Sequence, residues 1–118
     1  MNKRNAAFSL WFALLFCATV IGDPAIEPRF EGLGKFTRQI SSTSPDARVY
    51  FVQGLAFMYA FNHDEAIRSF QQSTQIDPGS AISYWGIALA NGPHINNPLL
   101  PANRAAAAWG ALTEAHTL

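Results

Sequence analysis

The sequence has very little that could carry covalent or metal chemistry. It contains one cysteine, Cys17, so neither an internal disulfide nor a cysteine-rich metal site can form. It has no Gly-rich phosphate loop and no nucleophile-elbow motif. Charged residues make up only 14% of the chain, and no basic stripe is present to attract a nucleic acid. We therefore expect no enzymatic activity, and the sequence provides no catalytic, cofactor-binding or metal-binding residue.

The N-terminus has the order of a secretory signal peptide. Lys3 and Arg4 precede an uncharged apolar run over residues 6–21, which is followed by Gly22. We predict cleavage after Gly22, so that residues 1–22 are a signal peptide and the protein is exported to the periplasm or the extracellular space. The alternative is an uncleaved membrane anchor, although the run is short against the roughly 20 residues that a membrane-spanning helix needs. Cleavage would leave six basic and eight acidic residues, a formal charge of −2.

Residues 23–44 form a lead-in with no helical period. Two prolines and two glycines interrupt it, so we predict irregular structure with a short extended piece at residues 35–40. The segment also carries apolar side chains, which should cover an open edge of the helices that follow, because terminal units of a helical array need covering. These side chains are Phe30, Leu33, Phe36 and Ile40.

Start and stop signals divide the remaining chain into helices. Ser44 is a suitable N-cap and Pro45 suits a first turn, so a helix is predicted from residue 45 to about residue 61. Asn62 then caps a second helix over about residues 64–76. An Asp-Pro-Gly sequence ends it, and Ser80 is placed to cap a third helix over about residues 81–91.

The first two predicted helices should fold back on each other. Their small and aromatic residues recur at helical spacing on one face of each, as Tyr50, Gly54, Phe57 and Phe61, and then Ala66, Phe70 and Ser73. The break between them is short, which favours antiparallel neighbours. Gly54 and Ala66 have almost no side chain, so the backbones should approach closely there. Phe57 and Phe70 would fill the space on either side.

These positions resemble the tetratricopeptide repeat (TPR), whose skeleton of W-x2-L-G-x2-Y, A-x3-F and P extends over about 34 residues. The matching positions here are Tyr50, Gln53, Gly54, Phe57, Ala66, Phe70 and Pro78. Only Gln53 departs from the family, which prefers an aliphatic residue there. The resemblance implies an all-α fold of antiparallel helical hairpins, an α-solenoid fragment at residues 45–118, whose first repeat is residues 47–80. The alternative is a generic helical hairpin without repeat ancestry.

A second, distorted repeat is predicted at residues 81–118. Tyr84 and Ala88 stand 34 residues after Tyr50 and Gly54, but a loop with prolines and asparagines follows at residues 94–103. The second half of the skeleton then returns as Ala105, Trp109 and Leu112. Ala105 lies 39 residues after Ala66, so this repeat carries a five-residue insertion at its inter-helix turn.

The chain also resembles the N-terminal part of a group of exported bacterial TPR proteins. The resemblance is carried by Gly54-Leu55, Phe61-Asn62-His63, Asp77-Pro78, Tyr84-Trp85-Gly86 and Gly92-Pro93. Those proteins are much longer, with several further repeats and no defined enzymatic activity. The resemblance implies either that this chain is truncated, or that another chain covers the face left open by two hairpins.

The expected function is that of a protein-interaction scaffold, which binds a peptide or a partner protein along an apolar groove. Candidate groove residues are Phe51, Leu55, Met58, Trp85 and Leu89. The alternative is that the lead-in, or the curvature of the array, buries these side chains. Two further functions stay open: an accessory role in an envelope enzyme complex whose downstream domain carries the activity, and a short anchored protein whose hairpins pair with a partner's repeats.

Histidines and tryptophans have simpler interpretations. His63 should make a local contact in a solvated turn, because no second histidine follows at metal-ligand spacing. His94 falls in the proline-asparagine loop, and His116 suits the negative end of a helix dipole. Trp85 and Trp109 are expected to pack between helices rather than to form ligand platforms.

Overall fold

The computed structural model describes residues 26–118. The predicted signal peptide, residues 1–22, and its cleavage site lie outside the described residues. Four helices are present in the described part: α1 (Pro45–Tyr59), α2 (His63–Ile76), α3 (Ala81–Asn91) and α4 (Ala102–Thr117). No strand occurs between residues 26 and 118, so this part is all-helical, as predicted. None of these helices has the length and apolar character needed to cross a bilayer.

The helix starts follow the capping residues, with one exception. Ser44 Oγ accepts a hydrogen bond from the Ala47 N–H, and Asn62 Oδ1 accepts one from the Glu65 N–H, which confirms both predicted caps. Ser80 occupies the N-cap position of α3 but makes no side-chain cap, since its hydroxyl hydrogen-bonds to Ser83 Oγ instead. Ser80 therefore stands at the predicted N-cap position, but the prediction that it caps α3 through its side chain is wrong.

The helix α1 ends two residues earlier than predicted. Tyr59 is its last residue, and Phe61 adopts a positive φ of 61° in the turn before α2. Phe61 is consequently exposed and does not share the packing face with Tyr50, Gly54 and Phe57. A non-glycine residue in this left-handed region is uncommon, and here it lets the chain reverse within a short turn.

Contacts along α1 and α2 run in opposite order. Near the start of α1, the Ala47 carbonyl accepts a hydrogen bond of 2.8 Å from Ser73 Oγ, late in α2. Further along α1, Gln53 Nε2 donates to Ser69 Oγ at 3.0 Å, which is earlier in α2. The two helices are therefore antiparallel, and each later helix packs against the one before it.

The ring of Phe70 lies between two glycines. A Cβ atom added at Gly54 on α1 would stand 2.6 Å from the Phe70 ring, and one added at Gly86 on α3 would stand 2.7 Å from it. Phe70 is fully buried and also contacts Phe51, at 5.5 Å between ring centroids. The space at Gly54, predicted to let the backbone approach Ala66, is thus occupied by the aromatic ring. Phe70 links α2 to α1 and α3.

A chain of serine hydroxyls crosses the same core. Ser73 Oγ on α2 lies 2.8 Å from Ser83 Oγ on α3, and Ser83 Oγ lies 2.9 Å from Ser80 Oγ. Ser73 and Ser83 are fully buried. Since buried hydroxyls are costly unless paired, this chain fixes the register of α3 on α2.

Two glutamines and a tyrosine attach the lead-in to the first hairpin. Gln53 Nε2 donates to the Pro28 carbonyl at 3.0 Å, and Gln53 Oε1 accepts from the Phe30 N–H at the same distance. The backbone of Glu27 is held on both sides, by Tyr50 Oη at 2.7 Å and Gln72 Oε1 at 2.9 Å. The glutamine that departs from the family skeleton is therefore a lead-in anchor.

The lead-in has neither helix nor strand between residues 26 and 44, as predicted. Residues 36–40 run without a bend, within the range where a short extended piece is predicted. Phe30 packs edge-on against Phe57 on α1, with ring centroids 5.1 Å apart. Ile40 is half-buried against the core, whereas Phe36 is exposed. Phe30 and Ile40 thus provide part of the predicted apolar cover over the first hairpin, whereas Phe36 does not.

Candidate functional site

The five residues predicted to line a groove separate into two groups. Phe51 and Leu55 are buried in the core, and Met58 is half-buried against it. A partner cannot reach Phe51 and Leu55 in this structure, because Phe51 packs on Phe70 and the lead-in is fastened over the first hairpin. Trp85 and Leu89 on α3 are exposed. The predicted apolar strip is therefore reduced to its α3 part.

Trp85 lines a recess of the surface, which we name the Trp85 groove. It has a volume of about 620 Å³ and lies between the lead-in and the helices α3 and α4. Its walls include Arg38, Ile40, Ile82, Trp85, Ala115 and Leu118. The floor is apolar, and Arg38 places a cation at its edge.

A second apolar surface lies on α4 and is formed by residues that do not line this groove. We name it the α4 outer face, formed by Trp109, Leu112, Thr113 and His116, which follow one another at helical spacing. Trp109 is 73% exposed and Leu112 is 44% exposed. The prediction that Trp109 packs between helices is wrong for the described residues, because no helix covers this side of α4.

The α4 outer face can be compared with α2 through the predicted 39-residue offset. Under this offset Trp109 corresponds to Phe70 and Leu112 corresponds to Ser73, and both of these α2 residues are fully buried. In α2 this side is covered by α3, through Gly86 and Ser83. In α4 only the side that faces α3, centred on Ala111 and Ala108, is packed. Under the predicted offset, the α4 outer face therefore corresponds to the side of α2 that α3 covers.

A third site brings together two histidines. The rings of His63, at the start of α2, and His94, in the loop before α4, are stacked with centroids 3.9 Å apart and planes inclined by 13°. His63 Nδ1 lies 3.2 Å from the Phe61 carbonyl. Asp64 and Arg104 form an ion pair beside them, and the adjoining cavity is about 180 Å³.

Sequence spacing could not identify this histidine pair, because its members are 31 residues apart and only the folded inter-helix loop joins them. A sequence signal existed in the five-residue insertion, since an insertion at an inter-helix turn must lie near the neighbouring turn of the preceding hairpin. The geometry does not suit a metal ion. Parallel stacked imidazoles direct their lone pairs alongside each other, and residues 26–118 contain no group of three or more ligand side chains.

The surroundings of His94 favour its neutral form. Burial lowers the pKa of His94 below its ordinary value, and the nearby His63 and Arg104 lower it further. Its Nδ1 atom is buried and finds no hydrogen-bond partner among the described residues. Asp64 is the acidic group on this side, and it is already paired with Arg104. Protonation of His94 would therefore create a positive charge with no hydrogen-bond acceptor at Nδ1 and no unpaired carboxylate beside it among the described residues.

Acidification should consequently destabilise the chain through His94. In the unfolded state His94 titrates near its ordinary pKa of about 6.5, whereas in the folded state it binds a proton only at lower pH. The unfolded state therefore binds more protons as the pH falls below about 6.5, and the free energy of unfolding decreases until the folded pKa is reached. Urea denaturation between pH 7.5 and pH 5 measures this slope.

The matched comparison is His94→Phe, which keeps a planar ring for stacking but cannot titrate. The slope below pH 6.5 should be smaller in this variant than in the wild-type chain. His116→Phe, on an exposed part of α4, should keep the wild-type slope. Equal slopes in the wild-type chain and His94→Phe would contradict the interpretation.

Comparisons with known proteins add no assignment to these sites. No protein-family model matches the chain, and neither a curated protein nor a solved structure matches it.

Proposed function

We propose that this protein is a helical-repeat interaction module of the TPR type, whose α4 outer face binds an amphipathic helix of a partner or of a further hairpin. The observation that carries the proposal is the exposure of Trp109. Under the predicted 39-residue offset Trp109 corresponds to Phe70, yet it is 73% exposed whereas Phe70 is fully buried.

The α2–α3 contact indicates what the bound helix should look like. Phe70 is received by Gly86, which leaves room for an aromatic ring, and Ser73 is received by Ser83. A helix that docks on α4 should likewise present a small residue opposite Trp109. Since Leu112 replaces Ser73, it should present an apolar residue rather than a hydroxyl at the second contact. Exposed aromatic surface of this kind commonly marks an interaction site.

The chemistry of the α4 outer face supports a packing interface rather than a charged one. Its members are two apolar residues, one threonine and one histidine, with no carboxylate or arginine among them. Covering a large aromatic side chain contributes about 2 kcal/mol from apolar burial alone. We also propose that the module acts outside the cytoplasm, on the strength of the signal-peptide pattern at residues 1–22.

An added hairpin tests the proposal directly. Asp77 follows Phe70 by seven residues, so a copy of residues 77–118 attached directly after Ala115 starts seven residues after Trp109 and keeps the register of the repeat. This longer chain should bury the original Trp109 against the copied Gly86. We expect its free energy of unfolding, measured by urea denaturation, to exceed that of the natural chain by about 2 kcal/mol.

The longer chain contains its own control, because the copied tryptophan remains at an open end. Trp109→Asp at the original position should remove the gain, whereas the same change in the copy should alter stability by less than about 0.5 kcal/mol. Trp109→Asp in the natural chain should also be nearly neutral. A gain that survives the change at the original position, or no gain at all, would show that the α4 outer face does not accept a helix.

A further inference from the structure

The basic residues of the described chain are unevenly paired. Six occur between residues 26 and 118, and three of them, Arg29, Arg68 and Arg104, form ion pairs with carboxylates. The other three, Lys35, Arg38 and Arg48, make no ion pair with any described residue, and all lie in the lead-in or the first turn of α1. Unpaired positive charge is therefore concentrated on one side of the molecule.

Two of these cations line neighbouring depressions. Arg38 lines the Trp85 groove and also a cavity of about 520 Å³, whose lining includes Arg48. Arg48 Nη1 donates one hydrogen bond, of 3.2 Å, to the Ser42 carbonyl, which leaves other guanidinium donors for a ligand. The two depressions together thus bring the apolar side chains of Ile82 and Trp85 into the same region as two arginines.

The backbone beside these depressions is unpaired. From residue 31 to residue 41, no N–H or carbonyl group hydrogen-bonds to any described residue. Residues 36–40 run without a bend, and most of this stretch is exposed. An unpaired stretch of backbone can accept a neighbouring extended chain as an additional strand, with side chains pointing alternately toward and away from the protein.

We propose that the Trp85 groove binds an extended peptide segment of another protein that alternates acidic and apolar residues. The peptide runs alongside residues 36–40 and exchanges backbone hydrogen bonds with them. Its carboxylates pair with Arg38 and Arg48, since a guanidinium can hold a carboxylate with two hydrogen bonds. Its apolar side chains lie on Ile82 and Trp85.

A peptide fits these observations better than an anionic membrane surface. The apolar residues line a recess instead of protruding, and a lipid surface has no backbone groups to pair with residues 36–40. The residues that line the Trp85 groove are different from those that form the α4 outer face.

The experiment selects from a random library of twelve-residue peptides with the full 118-residue chain as the target. Enriched peptides should contain Asp or Glu interleaved with apolar residues. Their affinity, measured by fluorescence anisotropy of labelled synthetic peptides, should fall about tenfold in Arg38→Glu and should weaken with increasing salt. Methylation of alternate peptide amides should lower affinity by a similar factor, because it removes the backbone donors.

Lys35→Glu is the matched control, since Lys35 is an unpaired cation of the same segment that does not line the groove. It should lower affinity less than threefold. Equal losses in Lys35→Glu and Arg38→Glu would overturn the proposal in favour of diffuse charge attraction. Neutral or basic selected peptides, no enrichment over an Arg38→Glu target, or binding to phosphatidylglycerol vesicles without any selected peptide would also overturn it. Circular dichroism of each variant verifies that the helices are intact.

Discussion

Replacing Phe70 by alanine should lower the free energy of unfolding by about 3–5 kcal/mol, the usual range for truncating a buried phenylalanine. The site should be at the costly end of that range, because glycines on two neighbouring helices receive the ring. Gly54 and Gly86 have no side chains that could move into the cavity. Urea denaturation followed by circular dichroism measures the loss.

Trp109→Ala is the matched control for this prediction, since Trp109 corresponds to Phe70 under the predicted 39-residue offset. It is 73% exposed, so its truncation should change the free energy of unfolding by less than about 1 kcal/mol. Truncation of the two aromatic residues should therefore differ several-fold in its cost. If the two variants lose similar stability, Phe70 is not the central contact that the structure describes.

Gly86→Val should have the next largest effect. A Cβ atom at Gly86 would stand 2.7 Å from Phe70 Cδ1. The ring has little room to move away, because Gly54 lies so close on the other side that a Cβ atom added there would stand 2.6 Å from it. Overpacking of a closed site typically costs about 1–3 kcal/mol and occasionally more. We expect a loss of about 3 kcal/mol, measured as a shift of the urea midpoint.

Gly110→Val separates this clash from the helix propensities of the two residues. Gly110 lies within α4, and nothing stands within 4 Å of the position that its Cβ atom would occupy. The change there should be close to neutral or slightly stabilising, because valine is a somewhat better helix former than glycine. Phe70→Leu should recover part of the loss in Gly86→Val by removing ring atoms. If Gly86→Val lowers the free energy of unfolding equally with Phe or Leu at position 70, the Phe70 ring does not lie tightly between Gly54 and Gly86.

Local signals predicted the helices well. Ser44, Pro45 and Asn62 fixed two starts, and the Asp-Pro-Gly turn fixed the end of α2 at Ile76. These signals act within one helical turn, so the sequence displays them directly. The end of α1 was less accurate, because the positive φ of Phe61 depends on how the turn meets α2 and not on a residue type that favours that conformation.

Long-range contacts are not visible in local sequence patterns. The skeleton alone makes Gln53 an imperfect match, whereas in the structure its side chain binds the lead-in backbone. The His63–His94 stack depends on a loop whose path has no periodic pattern. Helix position alone predicts the groove residues, and it does not show that Phe51 and Leu55 are buried. Periodicity identifies a face, but its neighbour depends on the tertiary arrangement.

The uneven packing of the helices implies an uneven resistance to opening. Six residues of α1 and six of α2 are buried, whereas in α4 only Ala111 is. Amide protons of α4 should therefore exchange with solvent through local fraying that leaves the first hairpin intact, since sparse burial lowers the free energy of partial unfolding. A molecule that binds α4 would slow this fraying. Amide exchange would then become slower along the whole helix, including residues that the molecule does not contact directly.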